Sequence, residues 1–352
     1  MTVRHRKRYE NFTGGLNTRD REEVLRDSES PDLMNVYTGK RAGIFTRPGY
    51  QKVNEQPLQL GLEDWDPNVP ITSVFEYSDN DGMSHLIATA GTNMKKSTGD
   101  GWIDIRTDFS ENRFYEFIHH PILDKLLFVN GADGYWETDA EDAFEVPTYP
   151  PEEHGDPQDP EYYNEEDIIG ASVIPQRAKY IEFFDYRVWM ANVRNYPDRI
   201  YYNMDDIFGS SIYNYFTSWG WLRMSGLRGE PITGMKRFRD SLLVFTQDAI
   251  RMVVKEESIL LDEEYYAPAY SMSVISDTVG TVAHRSIVDI GGRLMFLARD
   301  GIYLFDGEAP PYKVSGRIDP SIQNLDKDNW ERASGVYWDG KYFLSVPVKE
   351  GG

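Results

Sequence analysis

The chain has 352 residues, 40% of them hydrophobic and 27% charged, with a formal net charge of −21. This balance supports a globular fold of one large domain or two ordinary ones. The acidity argues against tight duplex DNA binding, which needs Lys and Arg against the phosphates, but leaves room for a surface past which DNA slides. The absence of cysteine removes disulfides, thiolate catalysis and cysteine-ligated zinc, and fits folding in a reducing cytoplasm. No window of about 18 uninterrupted apolar residues occurs, so no helical membrane span is expected. With 23 Tyr, 17 Phe and 8 Trp, the composition leans towards sheet.

In chain order, the first feature is a basic run, Arg4, His5, Arg6, Lys7 and Arg8. A solvated tail is the plain reading, and an arm docking on an acidic neighbouring subunit the sharper one. No apolar stretch follows it, so it is not read as a secretory signal. Ser28 to Asn35 predicts a short turn of helix, with Ser30 as N-cap and Pro31 at the first position. Gly43 to Thr46 predicts a strand, followed by a turn at Arg47 to Tyr50. Residues 1–56 are therefore expected to form an N-terminal arm and closing strand, ahead of a repeating region over 57–352.

That region repeats one unit, a short apolar run, a turn and a second short run. The runs are His85 to Ala90, Lys125 to Asn130, Arg187 to Asn192, Ser241 to Thr246 and Arg293 to Ala298, with a sixth starting at Lys341. The equivalent positions Ala90, Asn130, Asn192, Thr246 and Ala298 are 40, 62, 54 and 52 residues apart. Four-stranded propeller blades need about 40–50 residues each. The first run of each unit is nearly all apolar, as expected of a strand covered on both faces. The turns are rich in Gly, Asp and Asn, which accept positive φ. The fold class predicted is all-β, a β-propeller of about five to six blades. The last hairpin, Gly335 to Pro347, is short of strands, so closure by the N-terminal segment or continuation of the natural chain is expected.

One segment breaks the repeat. Residues 147–167 hold five prolines and eight acidic residues and read as a surface excursion between the second and third blades. Glu152, Glu153, Tyr162 and Tyr163 there, with Arg4, Arg6, Lys7 and Arg8 of the arm, are the candidate inter-subunit contacts.

Catalytic chemistry finds little support. Ser97 to Trp102 resembles imperfectly the aspartate-box turn of sialidase propellers, which is a structural hairpin even in enzymes, and a plain hairpin is expected. Asp79-Asn80-Asp81-Gly82 has alternating oxygen ligands as calcium loops do, but lacks the glutamate that completes them, and a type I′-like turn is expected. Asp262, Glu263 and Glu264 read as a solvated or interface loop. His119 and His120, adjacent on a strand, point to opposite faces and would not chelate one ion. His284 reads as a structural histidine. No Ser-His-Asp elbow or phosphate-binding Gly loop is present. Tyr213, Tyr215, Trp219 and Trp221 form a possible exposed aromatic patch, though core packing explains them equally.

Three groups of residues carry a family resemblance. Phe12 to Asp20, Ser30 to Val36 and Gly43 to Gly49 resemble the opening of a group of phage virion proteins. Val279 to Val288, Phe296 to Tyr303, Lys313 to Ser315 and Ile318 to Pro320 are also similar to that group. The resemblance is to the tail nozzle, or tail tubular, proteins of short-tailed phages, and covers about a third of the chain. It implies a six-fold homo-oligomeric ring below the portal and adaptor, with tail fibre proteins nearby and genomic DNA passing through the lumen without sequence-specific binding. It further implies a place in the virion tail or neck after assembly in the host cytoplasm, with no cofactor, metal or catalytic residue. A receptor- or glycan-binding tail protein is the second class, and a glycan-cleaving propeller enzyme with paired carboxylates the third.

Overall fold

The apolar runs of the sequence become the second strands of antiparallel sheets. The computed structural model describes residues 11–38, 44–47, 49, 51, 53–54, 58, 69–146, 175, 177–204, 213–214, 216–217, 220–224, 229–262 and 265–349. The chain opens with two short parallel strands, β1 (Gly15–Leu16) and β2 (Glu29–Ser30), and a hairpin of β3 (Val36–Thr38) and β4 (Ile44–Thr46). Blade one is β5 (Ile71–Ser78), β6 (Ser84–Ala90), β7 (Asn93–Ser97) and β8 (Trp102–Arg106). Blade two is β9 (Glu116–His120), β10 (Lys125–Val129), β11 (Trp136–Thr138) and β12 (Ala143–Glu145). Blade three is β13 (Tyr180–Phe184), β14 (Arg187–Val193), β15 (Tyr196–Tyr202) and β16 (Trp221–Arg223).

Blade four contains β17 (Gly234–Phe238), β18 (Ser241–Phe245) and β19 (Ile250–Lys255). The hairpin of β20 (Ile259–Asp262) and β21 (Tyr265–Ala267) interrupts it before β22 (Tyr270–Ser276) closes the sheet. A fifth four-stranded sheet is β23 (Val288–Asp289), β24 (Leu294–Ala298), β25 (Gly301–Phe305) and β26 (Tyr312–Lys313). A five-residue helix α1 (Asp319–Gln323) precedes the two-stranded sheet of β27 (Ser334–Trp338) and β28 (Lys341–Ser345). Successive four-stranded antiparallel sheets of this kind make the fold a β-propeller.

Two compact units divide the chain, residues 53–280 and residues 1–52 with 281–352. In the first unit the opening strands β5, β9, β13 and β17 lie beside one another, so each blade begins at its innermost strand. The second strands alternate their side chains between two blade interfaces. Leu126 and Phe128 of β10 pack with Tyr77, Ile87 and Met94 of blade one, while Leu127 and Val129 pack with Ile181, Val188 and Met190 of blade three. Trp189 and Ala191 of β14 turn the other way, onto Met235, Leu242 and Val244 of blade four. These side chains are almost wholly buried. Burying one large apolar side chain contributes roughly 1.5–3 kcal/mol. A strand apolar on both faces is thus the consequence of being covered on both faces.

The turn after each second strand is tied to the segment that enters the next blade. Phe109 N donates to the Thr92 carbonyl (3.2 Å) and Asn112 N to the Gly91 carbonyl (2.9 Å). Gly131 N donates to the Ala178 carbonyl (2.9 Å), and Asn192 Nδ2 to the Ile232 carbonyl (2.7 Å). At the end of blade four the tie becomes a close approach, because Gly280 lies directly against the Thr246–Ala249 turn.

In the second unit, the N-terminal segment packs on the C-terminal part. Thr18 N donates to the Arg317 carbonyl (3.0 Å), Arg317 Nη1 donates to the Gly14 carbonyl (2.9 Å), and the same guanidinium lies 3.4 Å from Glu29. The Lys341 ammonium sits 4.7 Å from the Tyr37 ring. β3 and β4 pair with each other, and no ladder among the described residues joins them to β27 or β28.

Two local expectations are corrected. Ser28 to Asn35 forms no helix. Glu29 and Ser30 pair with β1 instead, and the Ser30 hydroxyl, which accepts from Asp32 N (3.3 Å) and donates to the Asp32 carbonyl (2.7 Å), closes a turn rather than a helix end. Ser-Pro-Asp suits either outcome, because the same side-chain bond starts both. The 79–82 turn is also not type I′. Gly82 N donates to the Asp79 carbonyl (3.0 Å) and only Gly82 has positive φ, +81°, which is the pattern of a type I turn followed by a left-handed glycine.

Gly280→Ala is predicted to destabilise the protein by about 1–3 kcal/mol, because an added Cβ would collide with the Thr246 carbonyl and come 2.8 Å from Ala249 N. Gly316→Ala, where a Cβ meets nothing within 4 Å, should leave the urea midpoint unchanged. Equal midpoints for the two variants would contradict the joint described here.

Candidate functional site

The turns between first and second strands of blades one to four form one continuous surface of the 53–280 unit. Asn80 N of the blade-one turn reaches Asp124 Oδ1 and Oδ2 of the blade-two turn (3.0 Å each). Behind them lies a stacked group. The Tyr77 ring is 4.9 Å from His85 and 5.5 Å from His119. His85 Nε2 pairs with Asp79 (2.7 Å), and His119 Nε2 with Asp124 (3.0 Å). Burial, then the charges of Asp79 and Asp124, push the Tyr77 hydroxyl up to about 12. The hydrogen bonds from His85 and from Met83 N hold Asp79 below the usual carboxylate range. These groups pair off among themselves and lock the two turns together.

Between blades two, three and four the surface opens into a cleft of ≈ 590 Å3. Pro121, Phe183, Tyr186, Arg237, Asp240, Met252 and Lys255 are among its walls. The blade-three turn that enters it is built under constraint. Asp185 and Tyr186 both adopt left-handed φ, +50° and +59°, as a two-residue type I′ turn demands. Asp tolerates that region and Tyr does not readily, so the conformation has to be held by neighbours. The Tyr270 hydroxyl donates to Asp185 Oδ2 (2.6 Å) and Lys255 Nζ lies 2.8 Å from the same oxygen. Arg187 Nε donates to the Tyr270 oxygen (3.2 Å), and its Nη1 donates to the Asn203 carbonyl (2.9 Å). Burial above all, and the hydrogen bond to Asp185, push the Tyr270 hydroxyl well above the ordinary phenol range. Tyr270 is therefore a fixed neutral donor.

Above this support Tyr186 stands 73% exposed. The exposed Arg237 donates its backbone N–H to Glu182 Oε2 (3.1 Å), yet its guanidinium has no hydrogen-bond or ion partner among the described residues. The same holds for the Asp240 carboxylate and the Ser241 hydroxyl. Asp185 is paired with Lys255 and bonded by Tyr270, an arrangement that positions the turn.

The residues singled out from sequence fall in different places. Arg4, Arg6, Lys7, Arg8, Glu152, Glu153, Tyr162 and Tyr163 lie outside the described residues, as do Tyr215, Trp219, Glu263 and Glu264. Tyr213 and Trp221 do not share a patch role. Tyr213 packs on the blade two–three core and donates to Glu137 Oε2 (2.7 Å), while Trp221 stacks at 3.9 Å on the Arg199 guanidinium, whose other neighbour is the Tyr196 ring at 4.0 Å. His119 and His120 do face opposite ways, the second packing on Phe183, with burial lowering its pKa. Ser97 to Trp102 is a plain hairpin, in which Thr98 N donates to the Gly101 carbonyl (2.9 Å). His284 begins a 3-10 turn, His284–Ser286. No group of three or more His, Asp or Glu side chains among the described residues could hold a metal ion. Sequence reasoning missed the cleft. Its one local signal is Asp185-Tyr186 as the turn before an apolar strand.

No family model matches the chain, and no curated protein matches it. Among solved structures, it is similar to a catalytically inactive virginiamycin B lyase from Staphylococcus aureus with quinupristin, at 10% identity and a TM-score of 0.45, covering 88% of this chain and 84% of that one. It is also similar to the extracellular domain of a hybrid two-component system from B. thetaiotaomicron, at 10% identity and a TM-score of 0.43, covering 79% of this chain and 32% of that one. Likenesses this distant carry no argument about activity.

Tyr270→Phe removes the donor to Asp185 and the acceptor for Arg187, which is only 8% exposed. The predicted cost is about 1–2 kcal/mol, read as a lower urea midpoint at unchanged slope. An unchanged midpoint would show that the turn does not depend on this network.

Proposed function

We propose that the protein is a structural subunit of a phage virion, a nozzle-like ring component of the tail or neck that forms part of the DNA ejection conduit, and not an enzyme. The observation that carries this reading is where the phage-like segments fall. Their described residues form joints of the fold, and none of them is among the walls of the cleft between blades two, three and four.

Asn17, buried, donates through Nδ2 to Asp20 Oδ2 (3.0 Å) and Glu29 Oε2 (3.1 Å), and Gly14 and Thr18 bond Arg317. Thr281 Oγ1 donates to the Leu297 carbonyl (2.8 Å), and Leu297 N donates to Ser286 Oγ (2.9 Å). Ile302 N donates to Ser315 Oγ (3.0 Å), which in turn bonds Asp319 (3.1 Å). Residues shared for architectural reasons are what a family of assembly proteins would keep in common.

The physical role is passive. Stacked sheets make a stiff wall, and a net charge of −21 disfavours adhesion of DNA by like-charge repulsion. Partners in this reading are further copies of the chain in a six-fold ring, the portal and adaptor, tail fibre proteins, and genomic DNA in transit. The reading expects mass photometry and negative-stain microscopy of the purified chain to show closed rings, with a ring population that grows with protein concentration. A monomer at every concentration would count against a ring subunit.

A further inference from the structure

We infer that the cleft between the turns of blades two, three and four is a binding site for an acidic saccharide, with Arg237 taking the sugar carboxylate and Tyr186 stacking on the sugar ring. The inference is independent of the virion role and stands on the chemistry of the walls.

The cleft, at ≈ 590 Å3, falls within the range of small-ligand sites, about 300–1,000 Å3. Arg237 is the one arginine of its walls, and its guanidinium has no partner among the described residues. A planar fork of donors beside an apolar surface fits a carboxylate in bidentate fashion. Near it stand acceptors without partners among the described residues, the Asp240 carboxylate and the Ser241 hydroxyl. A ligand that satisfies both sets carries one carboxylate and several hydroxyl donors. An acidic peptide would bring neighbouring carboxylates against Asp240, and a neutral sugar would leave the guanidinium unmatched.

The remaining walls supply the apolar part. Tyr186 presents its ring at the tip of the turn, and Phe183 and Met252 are half-buried. The C–H face of a pyranose meets the negative face of an aromatic ring favourably. Tyr186 is also pre-organised. Its turn is fixed by Asp185 through Tyr270 and Lys255, so little ordering is required when a ligand arrives.

The test uses the whole chain and four probes: 3′-sialyllactose, a hyaluronan tetrasaccharide, lactose and hexaglutamate. Calorimetry and saturation-transfer NMR should show at least one acidic saccharide binding with a dissociation constant at or below about 1 mM, and lactose and hexaglutamate at least about tenfold weaker. Arg237→Gln should weaken the acidic saccharide at least about tenfold. Tyr186→Asn, which suits left-handed φ, should do the same while preserving the fold by circular dichroism, and Tyr186→Phe should bind as the parent does. Failure of both acidic saccharides to bind, equal binding of hexaglutamate or lactose, or full affinity in Arg237→Gln would each overturn the assignment.

Discussion

In the 53–280 unit, the second strands of blades two and three each give one set of side chains to the blade before and the other set to the blade after. Leu126 and Phe128 face one way, Leu127 and Val129 the other, and Trp189 with Ala191 opposes Val188 with Met190. No such strand can be buried unless both neighbours are present. The turn that ends the strand then fixes where the next blade starts, through Gly91 and Thr92, Gly131, Asn192 and the Thr246–Ala249 turn. Spacing between blades is thus set by backbone hydrogen bonds at one end and by interdigitated apolar side chains along the strand. The first-strand turns, which the cleft borrows, are left outside this joint and are held by side-chain networks of their own.

The sequence discloses the propeller because its second strands break the usual alternation of a half-exposed strand. Runs such as Leu126-Leu127-Phe128-Val129 have no polar face, and they recur with turn residues in step. The equivalent positions picked from sequence, Ala90, Asn130, Asn192, Thr246 and Ala298, all fall at or next to the ends of these strands or, for Asn192, in the bulge of β14. What misleads is chemistry shared by two structures. Ser30-Pro31-Asp32 can start a helix or close a turn, and pairing of Glu29 and Ser30 with Gly15 and Leu16 decides for the turn. The cleft could not be read at all, since Pro121, Tyr186, Arg237 and Lys255 come from three blades and meet only when those blades stack.

The two kinds of surface differ in what they hold. Residues resembling phage virion proteins lie where chain ends and blade joints are secured, around Asn17, Arg317, Thr281 and Ser315. Their hydrogen bonds secure the fold at these points, which is what the proposed ring subunit would need. The cleft of the 53–280 unit lies on turns that the joints do not use, and holds a guanidinium and a carboxylate without partners among the described residues, beside an exposed aromatic ring. A propeller whose frame serves assembly can carry such a site on its turns without cost to the frame, because turns tolerate variation that second strands do not.

The most direct measurement is immunogold electron microscopy of phage particles that carry this protein, with antibody raised against the whole chain. The account predicts gold confined to the tail or neck at a single vertex of the capsid. Gold on peripheral fibres, or particles that stay unlabelled after mild disruption exposes the tail, would contradict a role in the DNA conduit.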